Sequence, residues 1–183
     1  MPTSSPDLAA ARGAEIPDVL GDRLDVLFCG INPSLWSGAT GHHFARPGNR
    51  FWPALHLAGF TPRRLAPAEQ ELLTEYRLGL TNLVARATAR ADELSADELR
   101  AGADVLAAKV RTRTVRWLAV VGVTAYRAAF GDKKAGMGEQ PQTLGDTGIW
   151  VLPNPSGLNA HYDLAGLAAA FAELRDRVQR QDG

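Results

Sequence analysis

The chain is poor in several residue patterns that would point to other kinds of protein. It holds a single cysteine, Cys29, among 183 residues. That excludes an intramolecular disulfide framework, and the position of Cys29 inside an apolar run reads as a structural thiol. With four histidines and one cysteine, no zinc-ligand spacing is present and no metal or other cofactor is expected. No apolar run approaches the roughly 20 residues that a membrane span needs. The start, Met-Pro-Thr-Ser-Ser-Pro-Asp, lacks the basic and apolar regions of a secretory signal, so a cytoplasmic protein without membrane contact is expected. Gly-x-Gly-x-x-Gly and the phosphate-loop lysine are missing too. Net charge is zero, but acids are missing locally: residues 26–68 and 76–91 contain no Asp or Glu, while the first stretch carries Arg46, Arg50, Arg63 and Arg64. Such a stretch is locally basic, as phosphate binding requires.

What is present fits one compact domain. Residues 1–22, with Pro2, Pro6 and Pro17, read as a flexible polar tail, and residues 23–180 as a single domain. Strands are expected over 25–30, 79–84, 117–122 and 148–153, with Gln142–Leu144 at a sheet edge. Residues 33–48 read as a long loop and 131–141 as another. Between them lie helical patterns. Phe51, Trp52, Leu55 and Ala58 share a face behind an Asn49 cap, and Pro67 opens a helix to about Tyr76. Ser95 with Glu98 forms a capping box, Thr124 is a candidate cap for 125–130, and Asp163 caps a last helix carrying Leu167, Phe171 and Leu174. Strands alternating with helical crossovers imply an α/β, three-layer α/β/α sandwich around a short, mainly parallel sheet.

Two turns follow strands directly: Gly30-Ile31-Asn32-Pro33-Ser34 and Asn154-Pro155-Ser156-Gly157-Leu158-Asn159. Both reach the carboxyl edge of the sheet, where ligands bind in open α/β folds. Together with Gly41 to Phe44, Arg46-Pro47 and Asn49-Arg50-Phe51-Trp52, they make the chain resemble the mismatch-specific uracil-DNA glycosylases, the guanine:thymine/uracil branch of the uracil-DNA glycosylase superfamily. The resemblance runs from residue 24 to about 175. It implies a uracil-DNA glycosylase-like fold and a monomer acting on double-stranded DNA with a G:U or G:T mismatch. The implied reaction is hydrolysis of the N-glycosidic bond of an extrahelical base, leaving an abasic site.

By that resemblance Asn32 positions the attacking water. For an assisting carboxylate the sequence itself offers Asp92 and Glu93, placed just after the second strand and its loop on the same sheet edge. Related branches carry a carboxylate at the Asn32 position, which implies slower chemistry here. Phe44 stacks on the flipped base. Ile31 and Phe44 offer backbone groups, Ser37 lies beside the pocket, and Asn154 donates to a pyrimidine carbonyl. Gly157, Leu158 and Asn159 form the wedge that enters the duplex, with His161 and Arg46 as DNA contacts. No lysine occupies a motif position, so a Schiff-base step is not implied. The family pattern Leu-Ser-Arg is replaced by Leu158-Asn159-Ala160, which removes one arginine contact and leaves Asn159 as the substitute donor to guanine. Two other readings remain open from sequence: a nucleotide-binding module using the turn at Gly122–Thr124, and a non-catalytic damaged-base sensor.

Overall fold

A computed structural model of the chain describes residues 4–182. Five strands form one sheet: β1 (Arg23–Gly30), β2 (Leu78–Asn82), β3 (Thr114–Val121), β4 (Gly138–Leu144) and β5 (Thr147–Leu152). Their spatial order is β2-β1-β3-β5-β4; all neighbours run parallel except β4, which pairs antiparallel with β5 at the edge. The expected α/β/α layering with a short, mainly parallel sheet is what the chain adopts.

Alternation along the strands separates two cores. Val26 and Phe28 of β1, with Trp117, Ala119 and Val121 of β3, face α2 (Phe51–Leu57) and α5 (Leu164–Gln181). Leu27, Cys29, Leu118 and Val120 face the other way, toward α3 (Ala96–Arg111) and α4 (Val123–Phe130). Central strands apolar on both faces are the signature of a covered parallel sheet. Phe28 anchors the first core, with its ring edge-on to Phe51 at 5.4 Å and to Phe60 at 5.5 Å, and stacked on Phe171 at 6.0 Å. Burial pushes the Cys29 thiol far above its usual range, consistent with a packing role.

Local chemistry sets most helix ends. Ser95 and Glu98 close their reciprocal box at the start of α3, and the Asp163 side chain accepts from Gly166 N–H at 2.7 Å. Asn49 caps from one position further out than expected: Arg50 is the N-cap residue, and Asn49 Oδ1 accepts from Phe51 N–H at 2.9 Å.

Five local expectations need correction. The long loop over 33–48 contains a six-residue helix, α1 (Leu35–Thr40), started by Ser34, whose side chain accepts from Ser37 N–H. So short a helix has no apolar stripe to reveal it. Residues 67–76 wind as a 3₁₀ helix, and α4 begins at Val123 behind Gly122, so Thr124 is not its cap. The strand at the edge starts at Gly138, inside the expected loop.

The fifth correction concerns the tail. Its first three residues lie outside the described residues, but from Ala11 onward the segment packs on the domain. Ala11 and Val19 are buried, and Val19 exchanges both backbone hydrogen bonds with Leu80, at 2.9 and 2.8 Å. Asp18 pairs with Lys109 at 2.7 Å and accepts from Thr81 Oγ1 at 2.8 Å. The segment is polar in composition, yet its backbone and its few apolar side chains are held by partners remote in sequence.

Candidate active site

The register brings four loops to one edge. Gly30 lies beside Asn82, and Val121 beside Leu152, so the turns after β1, β2, β3 and β5 open in the same direction. They enclose a cavity of about 350 Å³. Ile31, Asn32, Ser37, Phe44, Arg46, Asp92, Asn154 and Leu158 all line it, although more than 120 positions separate the first from the last. Ile16, His43, Asn82 and Thr88 complete important parts of the wall.

The Gly30–Ser34 turn is stitched to the segment after β2. Leu83 N–H donates to Gly30 O, Val84 N–H to Ile31 O and Thr88 N–H to Pro33 O, at 2.9 to 3.2 Å. The Ile31 carbonyl therefore already accepts one hydrogen bond from within the chain. Asn32 Nδ2 donates to Arg86 O at 2.9 Å and to Thr88 Oγ1 at 2.8 Å; Thr88 Oγ1 in turn donates to Arg90 O at 2.7 Å. A carbonyl partner accepts only, so the amide nitrogen of Asn32 must face it. Oδ1 is left without a protein donor among the described residues, and it is not a buried orphan, so it opens to the cavity as an acceptor.

Asn154 has the reverse arrangement. Its Oδ1 accepts from Ser156 N–H at 2.9 Å, an Asx turn that fixes the oxygen on the backbone side. The Nδ2 donor is left for the cavity. The two amides thus present opposite polarity to one space.

Phe44 stacks on Phe51, with centroids 4.1 Å apart and an interplanar angle of 20°. Its φ of +52° is uncommon for a bulky residue and marks a locally strained turn. The buried Ser37 hydroxyl accepts from Ala45 N–H at 3.2 Å and pins that turn. His43, next in line, is buried; its Nε2 lies 2.9 Å from Pro17 O, which makes that nitrogen the N–H donor. Burial lowers its pKa, so the ring stays neutral.

Asp92 sits at the rim. Its side chain is 71% exposed and pairs with Arg90 Nε at 3.1 Å, an environment unlike the desolvated one that tunes a general base. Among the described residues it is the only acid lining the cavity. Neighbouring Glu93 is held below the usual carboxylate range, chiefly by Arg12, and lies outside the cavity lining.

The turn after β5 projects Leu158, which is 73% exposed. Gly157 approaches Gly48 so closely that an added Cβ would stand 2.7 Å from Gly48 O. Asn159 is turned inward. Its Nδ2 donates to Asn154 O at 2.9 Å and its Oδ1 accepts from His161 N–H at 3.1 Å. The side chain expected to donate to guanine is therefore engaged at both ends in shaping its own loop. His161 and Arg46 are exposed, and Arg46 forms no ion pair among the described residues.

Sequence marks Arg50 only as part of the Asn49–Trp52 motif and of the acid-free basic stretch, not as an anchor for a loop. Its guanidinium donates to Tyr162 O, Ser156 O and Asn159 O at 2.5 to 3.1 Å, and its N–H to Pro155 O at 2.9 Å. Among the described residues this cation has only carbonyl partners, and through them it holds the protruding loop. The signal available in sequence was an arginine within a run without acids.

The sequence signature of the Uracil DNA glycosylase superfamily matches residues 17–177. The chain belongs to that superfamily. Membership brings DNA as the partner and uracil excision as the general chemistry. The fold is also similar to that of a candidate uracil DNA glycosylase from Methanosarcina acetivorans, solved in solution by NMR. The TM-score is 0.58 at 20% identity, over 89% of this chain and 98% of the other. At that identity the likeness concerns the fold.

Proposed function

We propose that the chain is a monofunctional DNA glycosylase that hydrolyses the N-glycosidic bond of uracil flipped out of duplex DNA, mainly opposite guanine, and that thymine or etheno-cytosine also fits its pocket. The observation that carries this reading is the pair of oppositely presented amides, Asn32 Oδ1 and Asn154 Nδ2, in one cavity walled by Phe44.

The flipped base stacks on Phe44, an interaction worth about 1–3 kcal/mol. Asn154 Nδ2 donates to a pyrimidine carbonyl, with the Ile31 N–H nearby as a second donor. As the N1–C1′ bond lengthens, its electron pair moves to the base and the sugar becomes cationic. Fixed donors at the carbonyl then stabilise the departing anion. Asn32 Oδ1 accepts a hydrogen bond from the water that attacks C1′ and so fixes its direction. An amide cannot take up the water's proton, which leaves to solvent or by way of Asp92 at the rim. Among the described residues no lysine lines the cavity, which supports hydrolysis over a Schiff-base route. Leu158 fills the space vacated in the duplex.

The test is a labelled duplex with one uracil, followed under single-turnover conditions opposite guanine and opposite adenine. Free uracil, and strand breaks that need alkali, are expected. Tight binding without uracil release indicates the damage-sensor reading instead, and neither outcome points to an unrelated nucleotide module.

A further inference from the structure

We propose that residues 11–17 are a positioning element for the active site: they clamp the segment that orients Asn32. This rests on the glycosylase reading above for its kinetic consequence, though not for its geometry.

The clamp is a chain of direct contacts. Gly13 N–H donates to Ala87 O, and Ala87 N–H donates to Ala14 O, both at 2.9 Å. Ala87 is thus held through both of its backbone groups. Its neighbours on either side are the residues that bind Asn32: Arg86 through its carbonyl and Thr88 through its hydroxyl. Arg12 adds a 2.6 Å bond to Glu93, whose other oxygen accepts from Arg90 N–H. This ties down the far end of the same segment, next to Asp92.

A second arm reaches the opposite wall. Ile16 lines the cavity itself, and Pro17 O fixes the tautomer of His43 beside the strained Phe44 turn. Close packing supports both arms. Gly38 of α1 has no room for a side chain: an added Cβ would stand 2.9 Å from Ala87 Cβ, 3.2 Å from Ala11 O and 3.3 Å from Ala14 Cβ. Segment, helix and loop meet at that bare position with no gap.

Asn32 needs this support because a turn asparagine has two amide orientations. Only the one in which Nδ2 faces Arg86 O leaves the oxygen toward the cavity. If the 86–88 segment moves, that preference weakens and the water loses its direction. A misplacement of about 1 Å in a positioned group costs roughly a hundredfold in rate.

Three readouts test the proposal on the full chain, a variant lacking residues 2–13, and Gly13→Pro. Proline removes the N–H that Ala87 accepts and cannot take the φ of +80° found there. Both variants are expected to release uracil about ten- to a hundredfold more slowly, with duplex affinity within about twofold. In an Asn32→Ala background the same changes are expected to add almost nothing, because contributions routed through one residue are not additive. In nitrogen-labelled protein, the Asn32 side-chain amide signals are expected to move or broaden in both variants.

Unchanged rates with unmoved Asn32 signals overturn the clamp. So does a slower rate that persists in full in the Asn32→Ala background. If the deletion unfolds the chain, Gly13→Pro alone decides. If the full chain releases no uracil at all, the functional reading fails, and the amide signals still decide whether the segment orients Asn32.

Discussion

Asn32 is held by a carbonyl on one side and open on the other, and this determines what its substitutions do. Asn32→Ala removes the water's acceptor and is expected to slow base release strongly while binding of a uracil duplex stays nearly unchanged; equal losses in both would assign it a structural role. Asn32→Asp is the less obvious case. It places a carboxylate where related branches have one, but here one oxygen would face Arg86 O. The charged form loses a hydrogen bond and meets a carbonyl, so the aspartate is expected to hold its proton to a higher pH than usual. With a folded pKa raised above the unfolded one, the variant is destabilised above that value and recovers as pH falls. A loss of about 1–3 kcal/mol at pH 8, shrinking toward pH 4 relative to the unmodified chain, is expected in chemical denaturation.

The loop from Asn154 to Tyr162 acts as one element because Arg50 gathers its carbonyls. Arg50→Met keeps much of the side-chain volume and deletes three charge-assisted bonds, each worth about 1.5–3 kcal/mol before relaxation. Hydrogen exchange of residues 156–162 is expected to quicken, while the α3 amides keep their protection. At the tip, Leu158→Ala is expected to slow excision from duplex DNA and to leave single-stranded uracil almost unaffected. An equal effect on both substrates would remove Leu158 as the wedge. Gly157→Val cannot be accommodated against Gly48 without moving the tip, and is expected to resemble Leu158→Ala in this comparison.

Across the whole molecule, acid acts in two steps. His43 is kept neutral chiefly by burial, with its folded pKa below the ordinary 6.5. Its contribution is complete above about 6.5 and is lost as pH falls from there toward the folded value. Glu69 and Glu98 are held at about 2 by hydrogen bonds to Arg63 and Arg86. Their contribution is complete above about 4.5 and fades as pH approaches 2. Thermal melts from pH 8 to 3 are therefore expected to drop in two stages, and His43→Gln to remove the upper one. Because His43 bonds to Pro17, the upper stage also reports on the packing of the N-terminal segment.

Much of this was legible in the chain. Apolar runs ending in Gly30 and Asn154 marked the strands and their edge, and Ser95–Glu98 and Asp163 marked helix starts, because those signals act over three or four residues. The short α1 and the early start of β4 carried too little pattern to be seen. Sequence by itself determined the layering, the meeting of the two turns and the residue types in the pocket. Only tertiary structure decided which end of each amide faces the cavity, since the partner of Asn32 lies 54 residues away. It also decided that Asn159 turns inward, that Arg50 holds the protruding loop, and that a polar leading segment forms part of the wall. In each case the deciding group is a backbone N–H or carbonyl. Every residue type carries these groups, so side-chain pattern cannot mark which of them will meet.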